Sequence, residues 1–213
     1  MLGPPASGKG TQAELLAHRF DMLHVSTGAI LRGERQRGTE LGKRAEQWTG
    51  KGLLFPDELA LEVVKRSLSD HGWEAFILDG FPRTVGQAKD FDVELSTRGA
   101  AIDGAFSLEL SDAEIRRRVL DRITCTSCGA TFSQKLDGVS DGDLCLSCGA
   151  KLERRGDDTL EALERRLVQH RKLTDPLIEY YRNSIGLIEL DATRPRDEIF
   201  ANLREHLGEG AVA

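Results

Sequence analysis

The sequence predicts an α/β domain of the doubly wound type, in which helices cover both faces of a parallel sheet. Short apolar runs alternate with stretches of helical spacing along the chain, and polar or glycine-rich residues follow each apolar run. A glycine-rich loop at residues 3–11 also leads into a helical stretch, as a phosphate-binding loop does. The 213 residues suffice for one such domain with a sizeable core, with room for an inserted lobe.

The composition is that of an ordinary globular protein, with 39% hydrophobic and 30% charged residues. No apolar run approaches the roughly 20 residues of a membrane helix, and the first residues lack the pattern of a signal peptide. We therefore expect a cytoplasmic protein without a membrane partner. A net charge of -6 argues against a broad nucleic-acid surface.

Residues 3–11 read Gly-Pro-Pro-Ala-Ser-Gly-Lys-Gly-Thr and contain the pattern GxxxxGK. Backbone N–H groups of such a loop surround phosphate oxygens, and the lysine neutralises the β and γ phosphates. The helix predicted over residues 9–20 adds its positive end. The alternative is a Gly-Pro turn that opens an ordinary helix.

The strand that should precede this loop is nearly missing, because only Met1 and Leu2 come before Gly3. We expect the natural chain to start further upstream. The alternative is a sheet with an incomplete centre.

All four cysteines lie in two C-x-x-C pairs with 16 residues between them, Cys125/Cys128 and Cys145/Cys148. A glycine follows each pair, as expected where the chain turns tightly around a metal-bound sulfur. This spacing predicts a tetrahedral structural Zn²⁺ site without an open coordination position. Two disulfides in an oxidising compartment are the alternative. Zinc of this kind contributes on the order of 10 kcal/mol to a local fold.

In the first half of the chain we predict a strand at residues 22–25 and a polar turn at 26–28. Residues 29–49 have helical spacing interrupted by Gly33, Gly38 and Gly42, which favours short helices. A loop follows at 50–56, and Asp57 and Glu58 cap an amphipathic helix with apolar positions Leu59, Leu61, Val63, Val64 and Leu68.

Residues 75–78 form a continuous apolar run that predicts a strand buried on both faces. The sequence Asp-Gly-Phe-Pro-Arg-Thr follows at 79–84. Ligands of open α/β sheets bind beyond the carboxyl ends of the strands, so Asp79 and Arg83 are candidate site residues.

In the second half we predict a strand at 105–110 and a capping box at 111–114 that opens a helix containing Arg118 and Arg122. The cysteine lobe occupies 123–153. Asp157 and Asp158 lead a long helix with apolar positions Leu160, Leu163, Leu167, Leu173 and Leu177. A last strand at 186–190 and a helix ending near Leu207 complete the chain.

Two stretches, residues 27–56 and 118–155, have too little regular apolar pattern to belong to the core. We expect them to form mobile lobes on either side of the site, within one domain that spans residues 1–213.

Several of these segments, in their order and spacing, resemble the adenylate kinases, in the long form whose lid carries zinc. They are GPPASGKGTQ at the start, STG followed by LR at 26–32, DGFPRT at 79–84, the two C-x-x-C pairs, RRGDD at 154–158 and TDPLIEYY at 174–181. The resemblance implies a P-loop fold, with an AMP-binding lobe at 27–56 and a zinc lid at 118–155. It also implies a monomer that converts MgATP and AMP into two ADP.

The resemblance further implies roles for individual residues. The ATP site would contain Gly3, Pro5, Gly8, Lys9, Gly10, Thr11, Arg118, Arg122 and Arg194. The AMP site would contain Thr27, Arg32, Phe55, Gly80, Arg83, Gln87, Arg155 and Arg166. The catalytic groups would be Lys9, Asp79, Arg83, Arg122, Arg155 and Arg166, with Asp79 orienting Mg²⁺ through water and Arg118 stacking on the ATP adenine.

Two side chains depart from the family pattern. Ala6 stands where the family usually has glycine, which would strain the loop if a positive φ is required there. Ala29 stands where the family has aspartate. Three alternatives remain open: a kinase for UMP or CMP, a zinc-ribbon module that binds nucleic acid or protein, and an inactive kinase-like protein.

Overall fold

The computed structural model describes residues 1–49, 55–156 and 158–208. In the first half of the chain the elements are α1 (Lys9–Phe20), β1 (Leu23–Ser26), α2 (Thr27–Gln36), α3 (Glu40–Thr49), α4 (Asp57–His71), β2 (Phe76–Asp79), α5 (Val85–Ser96) and β3 (Ala105–Glu109). In the second half they are α6 (Asp112–Asp121), β4 (Arg122–Cys125), β5 (Thr131–Ser133), α7 (Gln134–Asp137), β6 (Leu152–Glu153), α8 (Leu160–Gln169), a π-helical segment (His170–Thr174), α9 (Asp175–Ser184), β7 (Leu187–Asp191) and α10 (Arg196–Leu207).

The core sheet consists of two parallel pairs, β1–β2 and β3–β7, with the first two residues between them. Leu2 donates its N–H to the Phe106 carbonyl at 2.6 Å and accepts from the Leu108 N–H at 3.0 Å. On the other side, the Met1 amino group donates to the Leu78 carbonyl at 2.8 Å. The predicted parallel α/β fold is confirmed, and a stub of two residues joins the two halves of its sheet.

Helices pack on both faces of this sheet and bury its apolar side chains. One cluster joins α4 and α5 to β1 and β2 through Val25, Ala60, Val64, Leu68, Leu78, Phe81, Phe91 and Leu95. A second joins α1 and α10 to β3 through Leu16, Phe106, Leu108, Ala192, Ile199 and Leu203.

Strand β2, which was predicted to be buried on both faces, is less buried than expected, because Phe76 and Ile77 are half-buried and of these three residues only Leu78 is buried. Leu78 is the residue that the Met1 stub reaches.

In the first predicted lobe, residues 27–56, the described residues include α2 and α3, which confirms the prediction of short helices. Of the three glycines thought to interrupt the pattern, only Gly38 lies at the break, and Gly33 and Gly42 lie inside helices. Gly42 is needed for packing, because a Cβ at this position would lie 2.3 Å from the Glu34 carbonyl oxygen. A Cβ on Gly33 would meet only the end of the Arg37 side chain, at 3.6 Å.

We therefore predict opposite effects for alanine at these two helical glycines. Gly42→Ala forces α3 away from α2 and should lower the free energy of unfolding by about 1–3 kcal/mol. The matched control Gly33→Ala should be neutral or should raise it by about 0.5–1 kcal/mol, because alanine loses less conformational entropy in a helix. Denaturant unfolding of the two variants measures both values. Equal effects would contradict the close approach of the two helices.

Several element boundaries differ from the prediction. The polar residues at 26–28 end β1 and begin α2 directly, without a turn. Helix α6 ends at Asp121, so Arg122 is the first residue of β4 and does not lie in the helix. Thr159 caps α8 by accepting from the Ala162 N–H. Asp157 and the loop residues 50–54 lie outside the described residues.

The long helix predicted after residue 158 is divided by the π-helical segment, and Leu160 is exposed, not packed. Ser111 does cap α6 by accepting from the Glu114 N–H, as predicted. Within residues 1–49, 55–156 and 158–208, no helix has both the length and the apolarity needed to cross a bilayer.

The cysteine lobe is a separate antiparallel sheet of three short strands in the order β5-β4-β6. Its core is small: Ile123, Cys125, Val139, Cys145 and Leu152 are buried together. Two of the five are cysteines, so a metal bound to them would contribute to the stability of this lobe.

Candidate nucleotide site and cysteine cluster

The glycine-rich loop leads from the two-residue stub of the sheet into α1, as the motif predicts. Gly3 must be glycine, because a Cβ would lie 2.5 Å from the Leu108 carbonyl oxygen. Gly8 precedes α1 with a φ of 94°. Ala6 adopts a φ of 58°, a left-handed conformation that costs a residue with a side chain about 1–2 kcal/mol. The strain expected at Ala6 is therefore present.

The side chain of Lys9 turns back onto its own loop. Its Nζ donates to the Pro4 carbonyl at 2.7 Å and to the Ser7 hydroxyl at 3.3 Å. Burial lowers the pKa of Lys9 to about 8, and the nearby Asp79 carboxylate offsets this only in part. A phosphate in the loop would supply the countercharge that favours the ammonium form.

Asp79 ends β2 beside the start of α1. Its Oδ2 accepts from the Ser26 hydroxyl at 3.1 Å and lies 3.9 Å from the Nε2 of His24. A Cβ on Gly10 would lie 3.2 Å from the same oxygen. The structure thus places this carboxylate next to the phosphate loop, where a hydrated cation on the phosphates would be within its reach.

Arg83 and Thr27 share one acceptor in the segment after β2. The Nε of Arg83 and the hydroxyl of Thr27 both donate to the Gly80 carbonyl, at 2.8 and 3.0 Å. Burial lowers the pKa of Arg83, and Asp79 raises it in part. Gly80 has a φ of 74°, and a Cβ there would lie 2.9 Å from the Arg83 guanidinium. Three residues predicted for the AMP site are therefore in direct contact.

Gln87 lies in the first turn of α5 and is 2% exposed. Its Oε1 accepts from the Arg83 N–H at 2.7 Å, and its Nε2 donates to Asp57 at 2.8 Å. Asp57 also accepts from the Thr84 hydroxyl at 2.9 Å. Asp57 was expected to cap α4, but the N-cap of that helix is Pro56, which makes no side-chain capping bond. Asp57, the next residue, binds the segment that carries Arg83.

Arg122 and Arg166 meet at Asp158, whose side chain is fully buried. Arg122 donates to both carboxylate oxygens, from Nε at 2.7 Å and from Nη2. Arg166 donates from Nη2 at 3.4 Å. Burial raises the pKa of Asp158, but Arg122, with Arg155 and Arg166, more than offsets this effect, so the net pKa lies below its ordinary value. Asp158 was expected only to lead a helix, although it belongs to the RRGDD motif.

Arg155, predicted beside those two arginines, lies against the cysteine lobe. It donates to the Thr124 hydroxyl at 2.8 Å and to the Thr131 hydroxyl at 3.0 Å. Because its charge helps to lower the pKa of Asp158, Arg155 lies near the arginine pair.

The remaining predicted site residues have local contacts in several elements. Arg118 donates to Glu114 at 2.8 Å and to the Ala192 carbonyl at 2.6 Å, while Arg194 pairs with Glu198 at 2.5 Å. Arg32 lies on α2, close to Gly28. Phe55 packs against the cluster of Leu31, Ala45 and Val63. Pro5 and Thr11 are half-buried in the phosphate loop and the first turn of α1.

The four cysteines form one cluster in which all sulfur atoms lie within 4.8 Å of one another. Cys125 and Cys148 are 3.4 Å apart, and Cys128 and Cys145 are 3.7 Å apart. Zn–S bonds of about 2.3 Å in a tetrahedron place sulfurs roughly 3.8 Å apart. The backbone N–H groups of Ser127 and Ser147 each donate to a sulfur, at 3.4 Å. The cluster is therefore compatible with zinc.

A parallel sheet that continues into a GxxxxGK loop and α1 defines a P-loop protein. Buried cations beside such a loop are typical of phosphoryl transfer. Comparison with known proteins gives the family.

The family model for adenylate kinase matches residues 1–185. The chain is 41% identical over 209 residues to the adenylate kinase of Clostridium tetani, with 98% of this chain and 97% of that protein aligned. It is 44% identical over 189 residues to the adenylate kinase of Caldicellulosiruptor saccharolyticus, with 88% and 87% aligned. The chain belongs to the adenylate kinase family. This membership makes ATP:AMP phosphotransfer its activity, and no observation favours the alternatives of the sequence analysis.

Proposed function

We propose that the chain transfers the terminal phosphoryl group of MgATP to AMP through a centre of four cations from separate elements. These are Lys9 of the phosphate loop, Arg83 after β2, Arg122 of β4 and Arg166 of α8. Burial has the largest effect on the pKa of Lys9 and lowers it, and Asp79 has the next largest and raises it. The charges of Arg83 and Arg122 lower this pKa further. The pKa of Arg83 is affected by burial and Asp79 in the same order, and Arg166 lowers it further. These effects, together with the Asp158 carboxylate that Arg122 and Arg166 share, support a convergence of the four charges, and this convergence carries the proposal.

The chemistry explains why converging cations are needed. An oxygen of the AMP phosphate forms a bond to the γ phosphorus while the bond from that phosphorus to the bridging oxygen of ADP breaks. Negative charge spreads over the transferred group, so alignment and fixed positive charge matter more than acid or base groups. A guanidinium binds two phosphate oxygens at once and stays charged in a closed site.

Asp158 supports this arrangement by orienting two of the guanidinium groups. Its carboxylate binds Arg122 at two atoms and Arg166 at one, in a fully buried position. In our proposal a phosphate joins this pair from the side of Lys9. The guanidinium planes then need little reorganisation when the substrate arrives.

The nucleotides are proposed to bind on either side of these cations. ATP would contact the loop from Gly3 to Thr11, with Arg118 and Arg194 beside its adenine. AMP would contact Thr27, Arg32, Phe55, Gly80, Arg83 and Gln87, with Arg155 and Arg166 on its phosphate. Mg²⁺ bound to ATP would neutralise phosphate charge, and Asp79 would hold its water ligands beside Gly10.

We propose that residues 27–56 and 118–155 close over the nucleotides, because water in an open site would accept the phosphoryl group. Structural Zn²⁺ on the four cysteines would make the second lobe one rigid body. We also propose a monomer that acts on free ATP, AMP and ADP in the cytoplasm, which the resemblance supports; light scattering measures the mass in solution.

The first experiment measures ADP formation by the zinc-loaded chain from MgATP with AMP, UMP, CMP, GMP and dTMP in separate reactions. We expect a rate with AMP far above the others. A rate with UMP or CMP that equals or exceeds the rate with AMP would replace the proposed acceptor, and no rate with any acceptor would contradict the proposed activity of this chain.

A further inference from the structure

Asp57 connects the end of the first lobe to the segment that carries Arg83. It is the first residue of α4, where the chain leaves the lobe at residue 56. One carboxylate oxygen accepts from the Thr84 hydroxyl at 2.9 Å, and the other accepts from Gln87 at 2.8 Å. The next residue, Glu58, also lies in the first turn of α4, but it is exposed. The two acids therefore share a helix terminus and differ in their partners.

The partners of Gln87 allow only one orientation of its amide. Its oxygen faces the backbone N–H of Arg83, which can only donate, and its nitrogen faces the carboxylate of Asp57, which can only accept. A rotation of the amide by 180° would lose both hydrogen bonds and would oppose two donors at one end and two acceptors at the other. Gln87 keeps one N–H and one oxygen lone pair for a further partner.

We propose that Asp57 is a positioning residue that fixes the Gln87 amide in this orientation and so favours a 6-amino over a 6-oxo purine on the acceptor nucleotide. This inference rests on the proposed function, in which Gln87 contacts AMP. A 6-amino purine offers a donor at N6 beside an acceptor at N1, which matches the remaining oxygen and N–H of the amide. A 6-oxo purine offers the reverse order, and only the rotated amide would match it.

The carboxylate of Asp57 can be replaced by an amide with little change in the shape of the side chain. Asparagine has the size of aspartate, but it can face Gln87 with either an oxygen or an NH₂ group, so it no longer selects one orientation. Serine likewise can donate or accept. In both variants the Arg83 N–H remains as the only orienting contact described here for Gln87.

The experiment compares kcat/KM for AMP and for IMP, with MgATP as donor, in the unchanged chain and in Asp57→Asn, Asp57→Ser and Glu58→Gln. Glu58→Gln is the matched control, because it makes the same carboxylate-to-amide change one residue away. We expect the AMP:IMP ratio to fall by at least about fivefold in Asp57→Asn and Asp57→Ser, which corresponds to roughly 1 kcal/mol of base discrimination. Glu58→Gln should keep the ratio of the unchanged chain.

The ratio separates positioning from mere structural support. A purely structural role would lower both rates in parallel and leave the ratio unchanged, and that result would overturn the inference. Thermal midpoints show which variants are folded, and Asp57→Ser, which retains a hydrogen-bonding group, supplies the ratio if Asp57→Asn does not fold. If the unchanged chain converts AMP but its variants keep its selectivity, the inference fails and the proposed function stands. If the unchanged chain does not convert AMP, the proposed function fails and this inference fails with it.

Discussion

Lys9→Met should lower kcat/KM for ATP by about 10³-fold or more without destabilising the unliganded protein. The ammonium group supplies charge to the phosphates in the transition state, and loss of one such group from a closed site has effects of this order. Burial has already lowered the pKa of Lys9 to about 8, which means that the charged form disfavours the unliganded fold. Methionine has a similar length and no charge. The thermal midpoint without nucleotide should therefore stay the same or rise.

ATP should distinguish the two proteins in the same unfolding experiment. A ligand that binds only the folded state raises its stability by mass action, so ATP should raise the midpoint of the unchanged chain far more than that of Lys9→Met. Lys89→Met is the matched control, because Lys89 is an exposed lysine of α5, and it should change neither turnover nor the shift with ATP. A Lys9→Met variant that turned over normally would contradict the role of this lysine.

The parts of the fold that depend on local pattern were predictable from the sequence. Helix α1 begins and ends at the predicted residues, and β3, β7 and the end of α10 agree with the prediction to within one or two residues. Each has a clear apolar period and a recognisable start or stop signal. The phosphate loop was equally clear, since its glycines and lysine follow a fixed spacing.

Contacts between distant segments were not predictable in this way. Nothing local distinguishes Gly42 from Gly33, because the close approach of α2 and α3 is visible only after both helices are packed. The partners of Asp57 lie 27 and 30 residues away, and Arg122, which binds both oxygens of Asp158, lies 36 residues from it. A carboxylate in a helix-start pattern indicates a cap when it is read alone, and tertiary contacts decide otherwise for Asp57.

The boundary between α6 and the cysteine lobe shows the same limit. The apolar spacing of α6 gave no reason to end the helix before Arg122, but the chain pairs Arg122 with Ser133 as the first step of β4. Asp121, the last residue of α6, is buried and accepts from the Ser133 hydroxyl and from the Lys135 N–H at 3.3 Å. These contacts with the lobe fix the end of the helix, and they place Arg122 at the junction between the lobe and the core.

Removal of zinc should unfold the cysteine lobe and lower turnover by on the order of 10²-fold or more. The five buried residues of this lobe include two of the proposed ligands, so its core is too small to stay folded without the metal. Arg122 begins β4 and Arg155 binds Thr124 and Thr131, so both arginines lose their positions when this sheet unfolds. A displacement of about 1 Å in a phosphoryl-transfer site is enough for an effect of this size.

Cys145→Ser and treatment with a zinc chelator test this prediction by two routes. We expect about one zinc per chain in the unchanged protein. Both treatments should remove amide-exchange protection over residues 122–153. Protection should be retained in β1, β2, β3 and β7, whose apolar clusters do not include the lobe. Ser147→Ala is the matched control, because Ser147 is exposed and only its backbone N–H contacts Cys145; it should keep both zinc and turnover. A metal-free chain that kept its lobe protected and its turnover unchanged would show that the small core suffices. Retained protection with lost turnover would also contradict the prediction, in which the metal acts only through the fold of the lobe. Four thiolates leave no open coordination position for chemistry at the metal.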